Sequence, residues 1–501
     1  MNRPSDFGQP QRSGAPTLPI RNARPRAKSI WLNGPLIAIL LVGTVIITAD
    51  GFTRPLVLEE EKESTEALTY EPYQAAFVFG LAMLPLMAAY RRSTSISKKE
   101  AALLWFVTCT VAYTKDFSYM GVPGAPIFVT DVVLGGLCVA LLGSLWGALR
   151  TLGKTPRLAI MWLVVSGTIC AARGFVSGQD RVLVLRDTAM VGYSMFLPVA
   201  YLVVSSWQSV KRFFIFFALG TLFSSSNALA WFAGQPGQRR YLPYGVYVLS
   251  GLVGTFVLTT SHTIRSALGW SLFGLLAAGV ILANARTIYV AALLVVLIMT
   301  FIGPTVKLQI SRRSLRLTAG IAVAAVVLLG AAMQTKAGAE LLDTTATELV
   351  SGTVDYADDP NATFRLLAWA EAGERFAENP LLGEGFGVPF SFERTAFDVR
   401  PHNTFMTILY KMGLLGFLPL IVLLVTFQYR GWRSLRSFRQ EPGALFLYVL
   451  LLAQLAMFVF GCLNLLLESP FMASIFWVIL GVGMSVMNLL RSSQRPAAIS
   501  A

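Results

Sequence analysis

Fourteen apolar stretches punctuate the chain, near residues 31–49, 73–90, 101–114, 127–147, 157–173, 182–204, 213–233, 241–260, 267–283, 287–303, 316–333, 403–427, 443–464 and 471–490. A bilayer core of about 30 Å is crossed by roughly 17–25 apolar residues in a helix, so each stretch predicts a span. Charged and turn-forming residues fill the gaps. The pattern predicts an all-α polytopic membrane protein of about 14 transmembrane helices. The first 30 residues are rich in Pro, Arg and polar residues and lack an apolar pattern, which predicts a disordered basic tail. The run after them is long enough to span and is read as an uncleaved first helix. No internal repeat and no paired interrupted helices stand out.

One gap breaks the rhythm. Residues 334–401 form a connection far longer than the usual few residues, and such loops are either functional or disordered. Here Leu366, Leu367, Trp369 and Ala370, then Gly373, Phe376 and Ala377, recur near helical spacing. Asp359 or Asn361 is placed to cap that helix, and Asn379-Pro380 to close it. An ordered amphipathic helix is therefore expected on the outer membrane surface over the bundle. The organisation reads as a tail (1–30), a bundle of about eleven helices (31–333), an extracytoplasmic catalytic loop (334–401), three more helices (402–490) and a short tail (491–501).

Composition narrows the reading further. Length alone would suit about three soluble domains, but of 501 residues 55% are hydrophobic and only 14% charged. The mean hydropathy is +0.61. That is too little charge to cover a soluble protein of this size. The net charge of +14 is distributed by side. With the N-terminus inside, cytoplasmic segments hold 26 of the 41 Lys and Arg, and only Asp6, Glu100 and Glu441 of the 27 acids. This is the positive-inside bias, and it predicts both termini in the cytoplasm. The basic balance thus reports topology and an anionic inner leaflet, with no nucleic-acid partner implied. Glu59-Glu60-Glu61 with Glu63, Glu66 and Glu71 reads as a solvated acidic face. Four separated cysteines (Cys109, Cys138, Cys170, Cys462) give neither a disulfide framework nor a zinc site.

Candidate chemistry gathers at the end of the long loop. Gly383, Gly385 and Gly387 stand at alternate positions in Leu381-Leu382-Gly383-Glu384-Gly385-Phe386-Gly387, which allows a tight backbone turn near a ligand. Arg400-Pro401-His402-Asn403 follows, then Gly413-Leu414-Leu415-Gly416. His402 is one of two histidines; the other, His262, falls in a short cytoplasmic loop and is read as inert. Within the spans, Arg186 and Asp187 form either an Arg–Asp pair or a site in which Arg186 contacts substrate, and Asp131 reads as a helix-terminus or bundle-interior residue. Arg239-Arg240 reads as outer surface charge or a guide for an anionic headgroup.

These pieces resemble the O-antigen ligase and polysaccharide polymerase superfamily of bacterial envelope glycosyltransferases. The resemblance rests on Asn284-Ala285-Arg286 opening a span, Arg365 with Trp369 ahead of the glycine run, and His402-Asn403 ahead of Gly413-Leu414-Leu415-Gly416. It covers about residues 286–416. Ala285 and Phe417 stand where ligases often carry Ser and Thr or Val, so ligase and polymerase both stay open. The resemblance implies a GT-C-like helical bundle in the bacterial cytoplasmic (inner) membrane. It also implies transfer of a glycan from a polyprenyl-diphosphate donor to a lipid or glycan acceptor hydroxyl. His402 would be the general base, Arg286 and Arg365 the diphosphate contacts with Arg186 as a further candidate, and Asn403 and the three glycines supporting residues. Inversion at the anomeric carbon is implied, with no metal and no cofactor, although Asp355, Asp358 and Asp359 could hold a cation weakly. The competing classes are a lipid-linked oligosaccharide flippase or other transporter, and a structural or sensory membrane component.

Overall fold

The computed structural model describes residues 33–53, 71–121, 127–234, 245–283, 285–302, 360–391 and 400–493. The basic tail, the acidic run around Glu59–Glu61, Asn284, Arg239-Arg240, the expected span 316–333 and Asp355, Asp358 and Asp359 lie outside these residues. Among the described residues the ordered elements are helices, with one isolated bridge between Gly121 and Phe128.

The first part of the bundle comprises α1 (Gly34–Thr53), α2 (Glu71–Thr94), α3 (Lys98–Tyr113), a single turn α4 (Lys115–Ser118), α5 (Val129–Thr151) and α6 (Lys154–Val176). Helix α7 (Arg181–Gly192) runs through a 3-10 turn into α8 (Phe196–Val203), so these pieces act as one crossing. Then come α9 (Trp207–Gly234), α10 (Gly245–Thr260), α11 (Ser266–Leu282) and α12 (Arg286–Ile302). After the long connection follow α13 (Pro360–Glu378), α14 (Thr404–Ser437), α15 (Ala444–Leu463) and α16 (Pro470–Ser492).

Each of the thirteen expected spans that falls on described residues coincides with a helix or with the α7–α8 crossing. Nine are long and apolar enough to cross a membrane by themselves. Helices α3, α10, α11 and α12 have only 16 or 17 residues, about 25 Å at 1.5 Å per residue. The protein is an all-helical polytopic membrane protein. Peripheral α5 turns Val139 and Leu142 outward, 76% and 72% exposed, as a lipid-facing surface requires. Helix α16 is the most enclosed of the nine and forms the centre of the packing.

Polar residues at the helix ends follow local rules. Ser97 caps α3 by accepting from the Glu100 amide. Glu100 in turn holds buried Arg212 of α9 at 3.1 Å. Asp131 accepts from the Phe128 amide (2.8 Å) and from the Tyr193 hydroxyl (2.9 Å), a helix-terminus role tied into the bundle.

Helix α13 forms where the helical spacing predicts one and ends just before Asn379. One face of α13 buries Ala368 and Ala372 with Phe390 and with Tyr410 of α14, while Leu366 and Leu367 stay exposed. It is anchored onto the bundle by its own small core.

Candidate active site

Helix α14 is interrupted. Gly413 has φ 60° and ψ −163°, conformations outside the helical region. In an unbroken helix the amides of Leu414 and Leu415 would bond to the carbonyls of Tyr410 and Lys411. They bond instead to the carbonyls of Pro380 (2.9 Å) and Leu381 (3.1 Å). The freed carbonyls of Tyr410 and Lys411 accept from the amides of Glu384 (2.8 Å) and Gly385 (3.0 Å). The glycine-rich loop is thus spliced into the helix break, and four backbone groups that lipid could not satisfy are paired. No interrupted helix was legible in the sequence, and this one corrects that reading.

The glycines serve this splice. Gly383 has φ +65°, and a Cβ on it would lie 2.5 Å from the Tyr410 carbonyl oxygen. A Cβ on Gly413 would lie 2.4 Å from the Leu381 carbonyl oxygen. Gly385 and Gly387 also take positive φ. The expectation of a turn is met, and Gly383 and Gly413 make close backbone approaches to each other's stretch of chain. From the other side Arg173 of α6 donates to the carbonyls of Leu382 (3.3 Å) and Gly383 (3.2 Å). Gly413→Ala combines left-handed strain with a clash, so a loss of about 1–3 kcal/mol or more is expected. Thermal unfolding of the purified variant in detergent measures it.

A buried charge cluster locks the loop to α7. Asp187 is fully buried and accepts from Lys411 Nζ (2.6 Å), Arg400 (2.9 Å) and the Gly387 amide (3.0 Å). Lys411 also donates to the Val388 carbonyl at 3.0 Å. The ion pairs of Asp187 run to residues more than 200 positions away in sequence, in place of the expected pair with neighbouring Arg186, which is exposed on α7.

His402 itself adopts φ +49°, rare for a non-glycine residue, in the turn that opens α14. Asn403 caps the helix, its side-chain oxygen accepting from the amides of Phe405 (3.0 Å) and Met406 (3.1 Å). Trp369 of α13 donates to the Pro401 carbonyl at 2.7 Å, fixing α13 to the same turn. The Phe364 ring meets the imidazole edge-on at 5.8 Å. Burial and the adjacent Arg365 cation hold the His402 pKa below its ordinary 6.5, opposed by a hydrogen bond with Asn464 and by the Glu468 charge. The side chain is therefore held in its neutral, proton-accepting form at neutral pH.

Asn464 also donates to the Thr287 hydroxyl at 3.0 Å, next to Arg286, the first residue of α12. The Arg286 side chain lies outside the described residues. So the backbone of Arg286, Arg365, Trp369 and His402 converge on one end of the bundle, while Arg186 lies on α7 beside the charge cluster. Residues 271–421 match the family described as O-antigen ligase. This stretch is similar to that family, which supports the resemblance to the O-antigen ligase/polymerase superfamily. No curated protein matches the chain.

The O-antigen ligase match contains Arg286, Arg365, the glycine loop and His402, but the groups that hold them extend beyond it. Asp187 precedes it; Asn464 and Glu468 follow it. Glu468 is buried, its Oε2 accepting from the Thr404 hydroxyl and from the Leu466 amide (3.2 Å). Its Oε1 has no hydrogen-bond partner among the described residues. Sequence reasoning passed over Asn464 and Glu468 because they sit in a short connector between two apolar runs. The available signal was Asn464, Glu468 and Ser469 within six residues at the same end of the bundle as His402.

Proposed function

We propose that the protein is a membrane glycosyltransferase of surface polysaccharide biosynthesis. It moves a glycan from a polyprenyl-diphosphate carrier to an acceptor hydroxyl, as a ligase or a polymerase. The observation that carries this reading is the meeting of Arg365 with a neutral, partly buried His402 within the O-antigen ligase match. His402 accepts the proton of the attacking hydroxyl. Arg365 and Arg286 stabilise the charge that grows on the departing diphosphate, using the planar bidentate geometry of guanidinium. Attack from the face opposite the diphosphate inverts the anomeric centre. In this mechanism the two guanidinium cations supply the neutralisation that a metal supplies in other sugar transferases. Cells lacking the protein are expected to accumulate the lipid-linked glycan at the outer face of the cytoplasmic membrane. Accumulation at the inner face would instead indicate a flippase.

The charge alternation supports fourteen spans in the bacterial inner membrane, both termini in the cytoplasm and residues 334–401 outside. Under that topology a cysteine introduced as Ser351→Cys reacts with an impermeant reagent in intact cells. Reaction only after permeabilisation reverses the orientation.

Among the described residues the interrupted α14 favours a transporter, since such proteins use broken helices to bind substrate and ions. Its freed carbonyls, however, accept from the glycine loop, and its freed amides donate to the same loop. That arrangement favours a rigid scaffold under an active site over a binding break.

A further inference from the structure

At the end of the bundle opposite His402 lies a cavity of about 650 Å³. From Leu414, past the break, to Arg430 is about 24 Å of helix at 1.5 Å per residue, so the two sites lie toward opposite ends of α14. Arg430 and Arg433 of α14 and Arg491 of α16 line this cavity, together with Leu152 and Gly153 at the end of α5 and with Tyr429. None of its lining residues is acidic.

The arginines are held in place by the fold. Arg430 donates to the Leu152 carbonyl at 3.3 Å. Gly153 has φ +89°, and a Cβ there would come within 3.1 Å of the Arg430 guanidinium. A larger residue would crowd that side chain out of position. Arg491 leans on the Ser434 hydroxyl at 3.5 Å and repels Arg430. Like charges brought together from two helices without a lining carboxylate create a site that an anion stabilises. An adjoining crevice continues between α14 and α16, lined in part by the apolar Phe427, Met484 and Met487. Tyr429 beside it is 64% exposed, as an aromatic residue at a membrane boundary is.

We propose that this cavity binds a phosphate group, with the guanidinium planes gripping its oxygens and the apolar crevice receiving the start of an attached chain. The ligand chemistry is that of a phosphodiester headgroup on an anionic phospholipid; a free phosphate carries the same oxygens without the chain. The site is independent of His402 and of the transfer reaction.

The test uses the full-length protein in neutral detergent, titrated with phosphatidylglycerol or phosphatidylcholine and followed by native mass spectrometry, with inorganic phosphate as competitor. Wild type is expected to retain phosphatidylglycerol over phosphatidylcholine. The double variant Arg433→Gln/Arg491→Gln should bind it about tenfold more weakly, because charge-assisted hydrogen bonds are lost. Arg430 is left intact because it also ties Leu152. Arg436→Gln, exposed on the same helix and outside the cavity lining, should bind as wild type does. If the double variant does not fold, Arg433→Gln alone, at an exposed position, reads the same loss in smaller measure. Retention unaffected by inorganic phosphate supports the site and assigns it to lipid. Displacement by inorganic phosphate that the double variant no longer shows supports the site and assigns it to a soluble phosphate. Equal binding of the two lipids by wild type, or undiminished phosphatidylglycerol binding in the folded arginine variants, overturns the proposal.

Discussion

Replacing His402 by alanine is expected to abolish glycan transfer while the protein still folds and reaches the membrane. The imidazole contributes one edge contact with Phe364 and one hydrogen bond with Asn464, whereas the turn around it is held by Asn403, Trp369 and the Pro401 carbonyl. The fold therefore survives its loss. The chemistry does not, since removal of a general base typically lowers the rate by about 10²–10⁴-fold. The pH profile separates this role from a structural one. His402 acts in its neutral form, and burial with Arg365 lowers its pKa. Activity is thus present above that lowered pKa and falls as pH drops through it, so the acid limb of kcat/KM should lie below 6.5. Glu468→Gln removes a charge that opposes the lowering and should move the limb lower still. An acid limb above 6.5, or full transfer by His402→Ala in a reconstituted assay, would remove this residue as the base.

Conservative replacement of the two arginines should be nearly as damaging. Arg365→Lys and Arg286→Lys keep a positive charge but lose the planar fork that meets two phosphate oxygens at once. Loss of one fixed donor to a developing anion commonly lowers kcat by about 10²–10³-fold. A fall of that order is expected for each variant, with binding of the acceptor unchanged. Arg365→Lys carries a second readout, because the position of its cation also bears on His402; its pH profile should shift together with its rate. Under the proposed mechanism, chelation with EDTA leaves the wild-type rate intact. Loss of activity restored by a divalent cation would turn attention to Asp355, Asp358 and Asp359, and full activity in both lysine variants would leave the arginines as interfacial charges.

The helices were legible in the sequence because lipid imposes one rule on every residue it touches, and long apolar runs have few other solutions. The convergence of Arg365 and His402 was legible only through family resemblance, since 37 positions of chain separate them and nothing in their spacing brings them together. The charge cluster could not be read at all. Asp187 finds Arg400 and Lys411 across separations of 213 and 224 residues, and its adjacent arginine offered a simpler partner. The glycines show the limit in another form: their alternate spacing announced a turn, but a turn does not say what it approaches. Only the break at Gly413 reveals that the loop completes the hydrogen bonding of a helix. Glu468 and Asn464 gave the weakest signal, two polar residues in a connector, because their importance comes from the Thr404 and His402 side chains that fold against them.

The most direct test of the central claim places the purified protein in proteoliposomes with a synthetic polyprenyl-diphosphate glycan and an acceptor. A glycosyltransferase reading predicts release of free polyprenyl diphosphate and an acceptor product with inverted anomeric configuration, both lost in His402→Ala. Movement of the donor across the bilayer with its glycan still attached, undiminished in His402→Ala, would contradict it.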